Sequence, residues 1–254
     1  MSGNNPALGL QHLAGGFKLA LSPGLRRFVV IPFLVNLIVF SLLVWLGIDQ
    51  FGVFMDWAVP EDAWYSFLRW LLWPLFAIAA VLIIFFTFTV IANLIAAPFN
   101  ALLAEKAELK LGGRLPEDDS GWGDIMKSIV PSILSELRKL TYFLVRAIPI
   151  LILFVIPLVN VAASVMWVAF GAWFMAIEYG DYPMGNHKMS FKQQLPLLRS
   201  KRWSAMGFGG AVMLLMMIPV VNFLAMPAAV CGATLFWHNE LASAASATRE
   251  LKQA

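Results

Sequence analysis

The residues best suited to chemistry are Ser22-Pro23-Gly24-Leu25-Arg26-Arg27, directly ahead of the apolar segment 28–48. Two adjacent arginines follow a Pro-Gly turn at the mouth of a stretch apolar enough to form a membrane-spanning helix. Free N–H groups at a helix start attract anions, as does the positive end of the helix dipole. Two guanidinium forks add charge and donors whose geometry suits tetrahedral oxyanions. The pair also has a simpler reading. Arginines beside a transmembrane helix commonly mark its cytoplasmic end and do nothing else. Residue type alone leaves both open.

Other polar groups are few. Asn36 is the amide within 28–48, and at that depth it needs a partner from another helix. Thr89, Asn93 and Asn100 fall near one face at helical spacing, either as a solute path or as helix–helix glue. Glu105 and Glu108 lie just past that stripe and are candidates to carry a proton, with His187 as a further pH-sensitive group. Glu178, Asp181 and His187 hint at a metal site. The chain has only three histidines, however, and neither HExxH nor Cys-His spacing, so no metal or other cofactor is expected. The apolar segments hold no acidic, histidine or serine-based catalytic constellation, which argues against a membrane-embedded enzyme.

Composition says what must position these groups. Sixty per cent of the 254 residues are hydrophobic and 13% are charged. With a mean hydropathy of +0.77, that is a membrane protein. The net charge of +3 is small and unevenly spread, so nucleic acid is not an expected partner. Cys231 is the lone cysteine, lies in an apolar run, and cannot form an internal disulfide. Residues 1–21 lack the basic start and continuous apolar core of a signal peptide. Leu10, Leu13, Phe17 and Leu21 instead recur at helical spacing, predicting a short helix on the membrane surface, weakened by Gly15 and Gly16.

The expected fold is all-α and integral to the membrane, a single domain over 1–254. Segment 28–48 would be about 31 Å long as a helix, enough to cross, and 71–104 about 51 Å, enough to cross and then protrude, with a bend near Pro98. Segment 105–146 holds basic and acidic residues in equal number and predicts a cytoplasmic helical hairpin. The runs 147–177 and 205–237 are broken by similar strings, Ile156-Pro157-Leu158-Val159-Asn160 and Ile218-Pro219-Val220-Val221-Asn222. Proline deep in an apolar run favours a break.

Positive residues concentrate before 28, in 105–146 and in 178–204. Placing all three inside the cell makes each broken run a re-entrant hairpin, whereas a single kinked span each would put 178–204 outside. Re-entrant backbone must be buried in protein or line a water-filled cavity, which implies oligomer contacts, a pore, or both. Glu178–Lys188 between the repeats reads as a structured cytoplasmic loop.

The motifs Pro-Gly-Leu-Arg-Arg-Phe (23–28), Trp-Pro-Leu (73–75) and Ile-Ala-Asn-Leu-Ile-Ala-Ala-Pro-Phe-Asn (91–100) occur in that order. They are followed by Leu-Leu-Ala-Glu (102–105), Asp-Tyr-Pro (181–183), Asn-His-Lys (186–188) and Met-Pro-Ala-Ala-Val-Cys-Gly-Ala-Thr (226–234). In these, over nearly its whole length, the chain resembles the CysZ family of bacterial inner-membrane sulfate permeases. The resemblance implies multi-pass residence in the inner membrane and homo-oligomeric build. It implies ATP-independent, proton-linked sulfate uptake for cysteine synthesis, with sulfite as a competitor. It also implies that Gly24, Leu25, Arg26 and Arg27 bind sulfate. Asn36, Asn93, Asn100, Glu105, Glu108 and His187 stay candidates for a pore or for proton linkage.

Importing a dianion against 100 mV costs about 4.6 kcal/mol, and the chain has no G-x-x-x-x-G-K-[ST] signature through which ATP could supply it. The alternative function is a structural or regulatory membrane protein that binds an anion without conducting it.

Overall fold

A computed structural model describes residues 3–62, 64–116 and 122–246. Side chains 58, 81, 83–98, 122–133, 219–220 and 222–223 lie outside that description. The described residues are helical, as expected, and contain no strand. They group into two compact units: Met1–Val29 with Asn100–Ala254, and Val30–Phe99.

The first unit opens with α1 (Pro6–Ala20), capped by the Asn5 side chain, which accepts from the Leu8 N–H at 3.0 Å. Next come the start of α2 (Arg27–Ala58) and the end of α3 (Leu68–Lys110). Then follow α4 (Trp122–Phe154), α5 (Asn160–Asn186), α6 (Phe191–Ser200), α7 (Arg202–Met216) and α8 (Pro219–Phe236). A π-helical turn, Trp237–Leu241, extends α8.

Both proline strings break the helix where the sequence predicts. Helix α4 stops at Phe154 and α5 starts at Asn160; α7 stops at Met216 and α8 starts at Pro219. Helices α4 and α5 fold back antiparallel. Phe154 meets Trp167 near the turn, Phe143 meets Phe174 further down, and Lys139 meets Asp181 beyond that. The turn exposes its apolar residues, with Leu158 94% exposed at a φ of 70°.

Helix α4 runs unbroken across 146 and 147, where the polar and apolar stretches meet. Arg146 folds its guanidinium 3.5 Å from the Tyr142 ring centroid, so its charge is accommodated within the helix. One expectation needs correcting: Glu178–Lys188 is not a loop, because α5 continues through Pro183 to Asn186. Tyr179, Gly180, Pro183 and Met184 are buried there, and their packing outweighs the proline's cost.

Helix α1 forms as predicted but buries a different face. Gly9, His12, Leu13, Gly16 and Ala20 pack inward, while Leu10 and Leu21 stay exposed. Gly9 lies on the backbone of Ser204 and Phe208 and Gly16 on that of Ala228 and Gly232, so close that a Cβ would collide. The glycines that lower helix propensity are what let α1 sit against α7 and α8. Asn4 strengthens the junction: its side-chain oxygen accepts from the Trp203 and Ser204 N–H groups at 2.9 and 3.1 Å, in the first turn of α7.

The second unit holds the rest of α2 and the earlier part of α3. Phe51 stacks on Phe76 and meets the edge of Trp73. Arg69 pairs with Asp56 and Glu61. Trp57, Trp64 and Trp70 are exposed, as interfacial anchors would be. Helix assignment in α3 runs unbroken past Pro98.

Two described helices are long and apolar enough to cross a membrane: Arg27–Trp57, with 11% of its apolar window buried, and Asn160–Asn186. The first includes the predicted 28–48 span. The second falls mostly within the broken run 147–177. The predicted span 71–104 lies within α3, much of whose side-chain set is outside the description.

Candidate functional site

The basic loop has a defined shape. The Leu25 and Arg26 N–H groups donate to the Ser22 carbonyl at 3.1 and 3.2 Å. Gly24 adopts a φ of 89°, the left-handed region that glycine takes without Cβ strain. Leu25 is 3% exposed and shares a buried cluster with Leu103, Ala104 and Ala107, so it anchors the loop. Arg26 and Arg27 are exposed, with Arg27 5.0 Å from the Phe28 ring centroid.

A third cation reaches this loop from the end of α3. Lys110 Nζ donates to Ser22 Oγ and to the Pro23 carbonyl oxygen, both at 2.8 Å. Sequence reasoning missed it: a single lysine 88 positions away carries no local signal.

Two residues earlier on α3 the chemistry changes. Glu108 is 2% exposed. Its Oε1 lies 2.7 Å from His187 Nε2, at the C-terminal end of α5, and accepts from Trp237 Nε1–H at 3.1 Å. Glu108 Oε2 is buried with no hydrogen-bond partner among the described residues. The His187 and Trp237 rings lie 4.9 Å apart. The π-helical turn widens the backbone here and carries Trp237 and Glu240 together. A cleft of about 280 Å³ adjoins the trio, bounded also by Gly113, Arg114 and His238. Carboxylate, imidazole and guanidinium groups around one cleft can hold a proton and attract an anion.

The remaining candidates separate from this cluster. Glu105 is partly exposed and paired with neighbouring Lys106 at 2.7 Å. Asn100 is 6% exposed and donates to Met226 Sδ at 3.1 Å, joining α3 to α8. Asn36 belongs to the second unit, its Oδ1 buried without a hydrogen-bond partner among the described residues. The Asn93 side chain lies outside the described residues. Among those described, no group of three or more His, Cys, Asp or Glu is placed to hold a metal.

A second polar knot ties α4, α5 and α6. Lys139, 8% exposed, lies 3.1 Å from Glu136, 3.2 Å from Glu178 and 3.0 Å from Asp181. Gln194 donates to Asp181 at 2.6 Å and to the Met189 carbonyl at 2.9 Å. Burial works to lower the Lys139 pKa, but the Asp181, Glu178 and Glu136 carboxylates outweigh it and hold it above the ordinary lysine value.

These features define a helical protein of membrane character, with a basic loop at the start of a helix long and apolar enough to span and a buried Glu–His pair in the same unit. A family profile described as Sulfate transporter CysZ/Etoposide-induced protein 2.4 matches residues 12–227, and the chain belongs to that family. It is 50% identical over 233 residues to "Sulfate transporter CysZ" of Pseudomonas fluorescens (strain Pf0-1), covering 91% of this chain and 93% of the relative. The same name is carried by relatives in Pseudomonas aeruginosa (strain LESB58), 48% identical over 92% of this chain and 96% of theirs, and in Pseudomonas syringae pv. tomato, 47% identical over 92% and 94%.

Proposed function

We propose that this chain is a permease that carries sulfate across the bacterial inner membrane, without ATP, to supply cysteine synthesis. The observation that carries this reading is the exposed arginine pair on a loop at the start of a spanning-length helix. The relatives named sulfate transporters support it. Arg26 and Arg27 bind the anion through their side chains. Gly24 and Leu25 contribute backbone and anchorage, the latter through its buried side chain. Sulfite, of similar charge and donor demand, competes.

Protons enter with sulfate and offset the electrical cost of importing a dianion. Glu108 and His187 hold the transported proton between them, with Trp237 fixing the carboxylate's orientation; the 2.7 Å contact supports this role. Glu105, Asn36, Asn93 and Asn100 are weaker candidates for the path. In this reading α2 and α3 cross the bilayer, residues 105–146 project into the cytoplasm, and the α4/α5 and α7/α8 hairpins dip in and return. The exposed apolar tip around Leu158 supports that placement. Copies of the chain assemble through these hairpins.

Labelled sulfate uptake into proteoliposomes tests the function. Uptake is expected to rise with an inward proton gradient and to weaken in Arg26→Ala and Arg27→Ala, with insertion unchanged. Sulfate binding without flux would leave an anion-binding membrane protein instead of a permease. Flux indifferent to the gradient would remove the proton role while leaving sulfate transport.

A further inference from the structure

We infer that Lys110 is a positioning residue of the anion loop, holding it in the shape that presents Arg26 and Arg27 and adding its own charge to theirs. The inference rests on the reading that this loop binds sulfate. Gly24's positive φ takes the chain out of helical register just before α2. The loop's N–H of Arg26 bonds to Ser22 and that of Phe28 to Leu25, while the Pro23 carbonyl oxygen is taken by Lys110. Pro23 itself has no N–H to donate. Lys110 therefore grips both residues ahead of the turn, Ser22 by its hydroxyl and Pro23 by its carbonyl, each at 2.8 Å.

Both of these partners are neutral oxygens, and among the described residues no carboxylate pairs with the ammonium. An ammonium has three donors, and these two bonds leave one to face an anion. Lys110 is the last residue of α3, where the helix dipole favours a cation. Two residues earlier on the same helix, Glu108 meets His187, so the lysine that shapes the anion loop shares a turn with the candidate proton carrier.

Sulfate affinity and uptake of the full-length protein test this. Lys110→Met is expected to weaken sulfate binding about tenfold and to raise KM for uptake with the maximal rate unchanged. Lys110→Arg should restore most of the affinity, and thermal stability should stay level in both. Combined with Arg26→Ala, Lys110→Met should cost less than the sum of the two single losses, because it acts on the arginine's placement.

Should Lys110→Met not fold, Ser22→Ala removes one of its two acceptors and should weaken binding about threefold. Unchanged affinity in Lys110→Met, or in Ser22→Ala as its substitute, while Arg26→Ala weakens binding would overturn this inference and leave the loop reading intact. Unchanged affinity in both Arg26→Ala and Arg27→Ala would overturn the loop reading itself.

Discussion

Glu108 Oε1 and His187 Nε2 lie 2.7 Å apart although 79 positions separate them, and both side chains are nearly closed to solvent. Trp237 donates to the same carboxylate oxygen, which fixes that oxygen as an acceptor. Removing the charge while keeping the shape isolates the proton's role. Glu108→Gln is expected to lose about tenfold of the uptake that a proton gradient drives, the worth of one charge-assisted hydrogen bond. Sulfate affinity at the arginine loop should be untouched. A variant whose gradient response matched wild type would take Glu108 out of the mechanism.

Lys139 is surrounded by three carboxylates at the base of the α4/α5 hairpin. Lys139→Met leaves them facing one another without a cation and should cost about 3 kcal/mol. In melting experiments that is a fall of about 6–12 °C. Because the folded lysine's pKa lies above its ordinary value, its stabilisation is complete below about pH 10 and declines only as pH rises toward the folded value. The loss should therefore be equal at pH 7 and pH 9; a smaller loss at pH 9 would contradict it.

His12 gives the opposite pH behaviour. Burial under Phe236 lowers its pKa, with Glu240 pulling weakly the other way. The unfolded chain then takes up a proton that the folded one resists, so stability is lost as pH falls below about 6.5. Melting of wild type at pH 7.5 and pH 5.5 should show that loss. His12→Gln should narrow the gap between the two temperatures; an unchanged gap would assign it to other groups.

The hairpin tip can be probed directly. Cys231 is fully buried, and replacing it by alanine leaves a background without thiols. In that background a Leu158→Cys chain in bilayers should react with a lipid-soluble maleimide and resist a membrane-impermeant one. Equal labelling by both reagents would mean the tip stays in water.

What was legible in the sequence was local. Pro157 and Pro219 each sit in an apolar run, and a missing N–H acts within one helical turn, so both breaks fall where they were read. Glu108, His187 and the arginine pair stood out by residue type. Their partners did not. In the sequence Trp237 is one more aromatic at the end of the run 205–237, and Lys110 one of fourteen charges within 105–146. Both gain meaning only when distant segments meet. The continuous α5 through Pro183 was hidden for a related reason: tertiary packing around Tyr179 and Met184 overrode a strong local signal.

The glycine contacts between α1, α7 and α8 have a mechanical consequence. Where Gly16 lies on Gly232 and Gly9 on Ser204, backbone touches backbone, so no rotamer change can loosen those contacts. A seam of that kind has no slack: its helices travel as one piece or come apart. The α4/α5 seam is made differently, by long side chains such as Phe143, Phe174 and Lys139, which can re-form one contact after another as helices slide. If sulfate passage requires this unit to breathe, it breathes along that second seam.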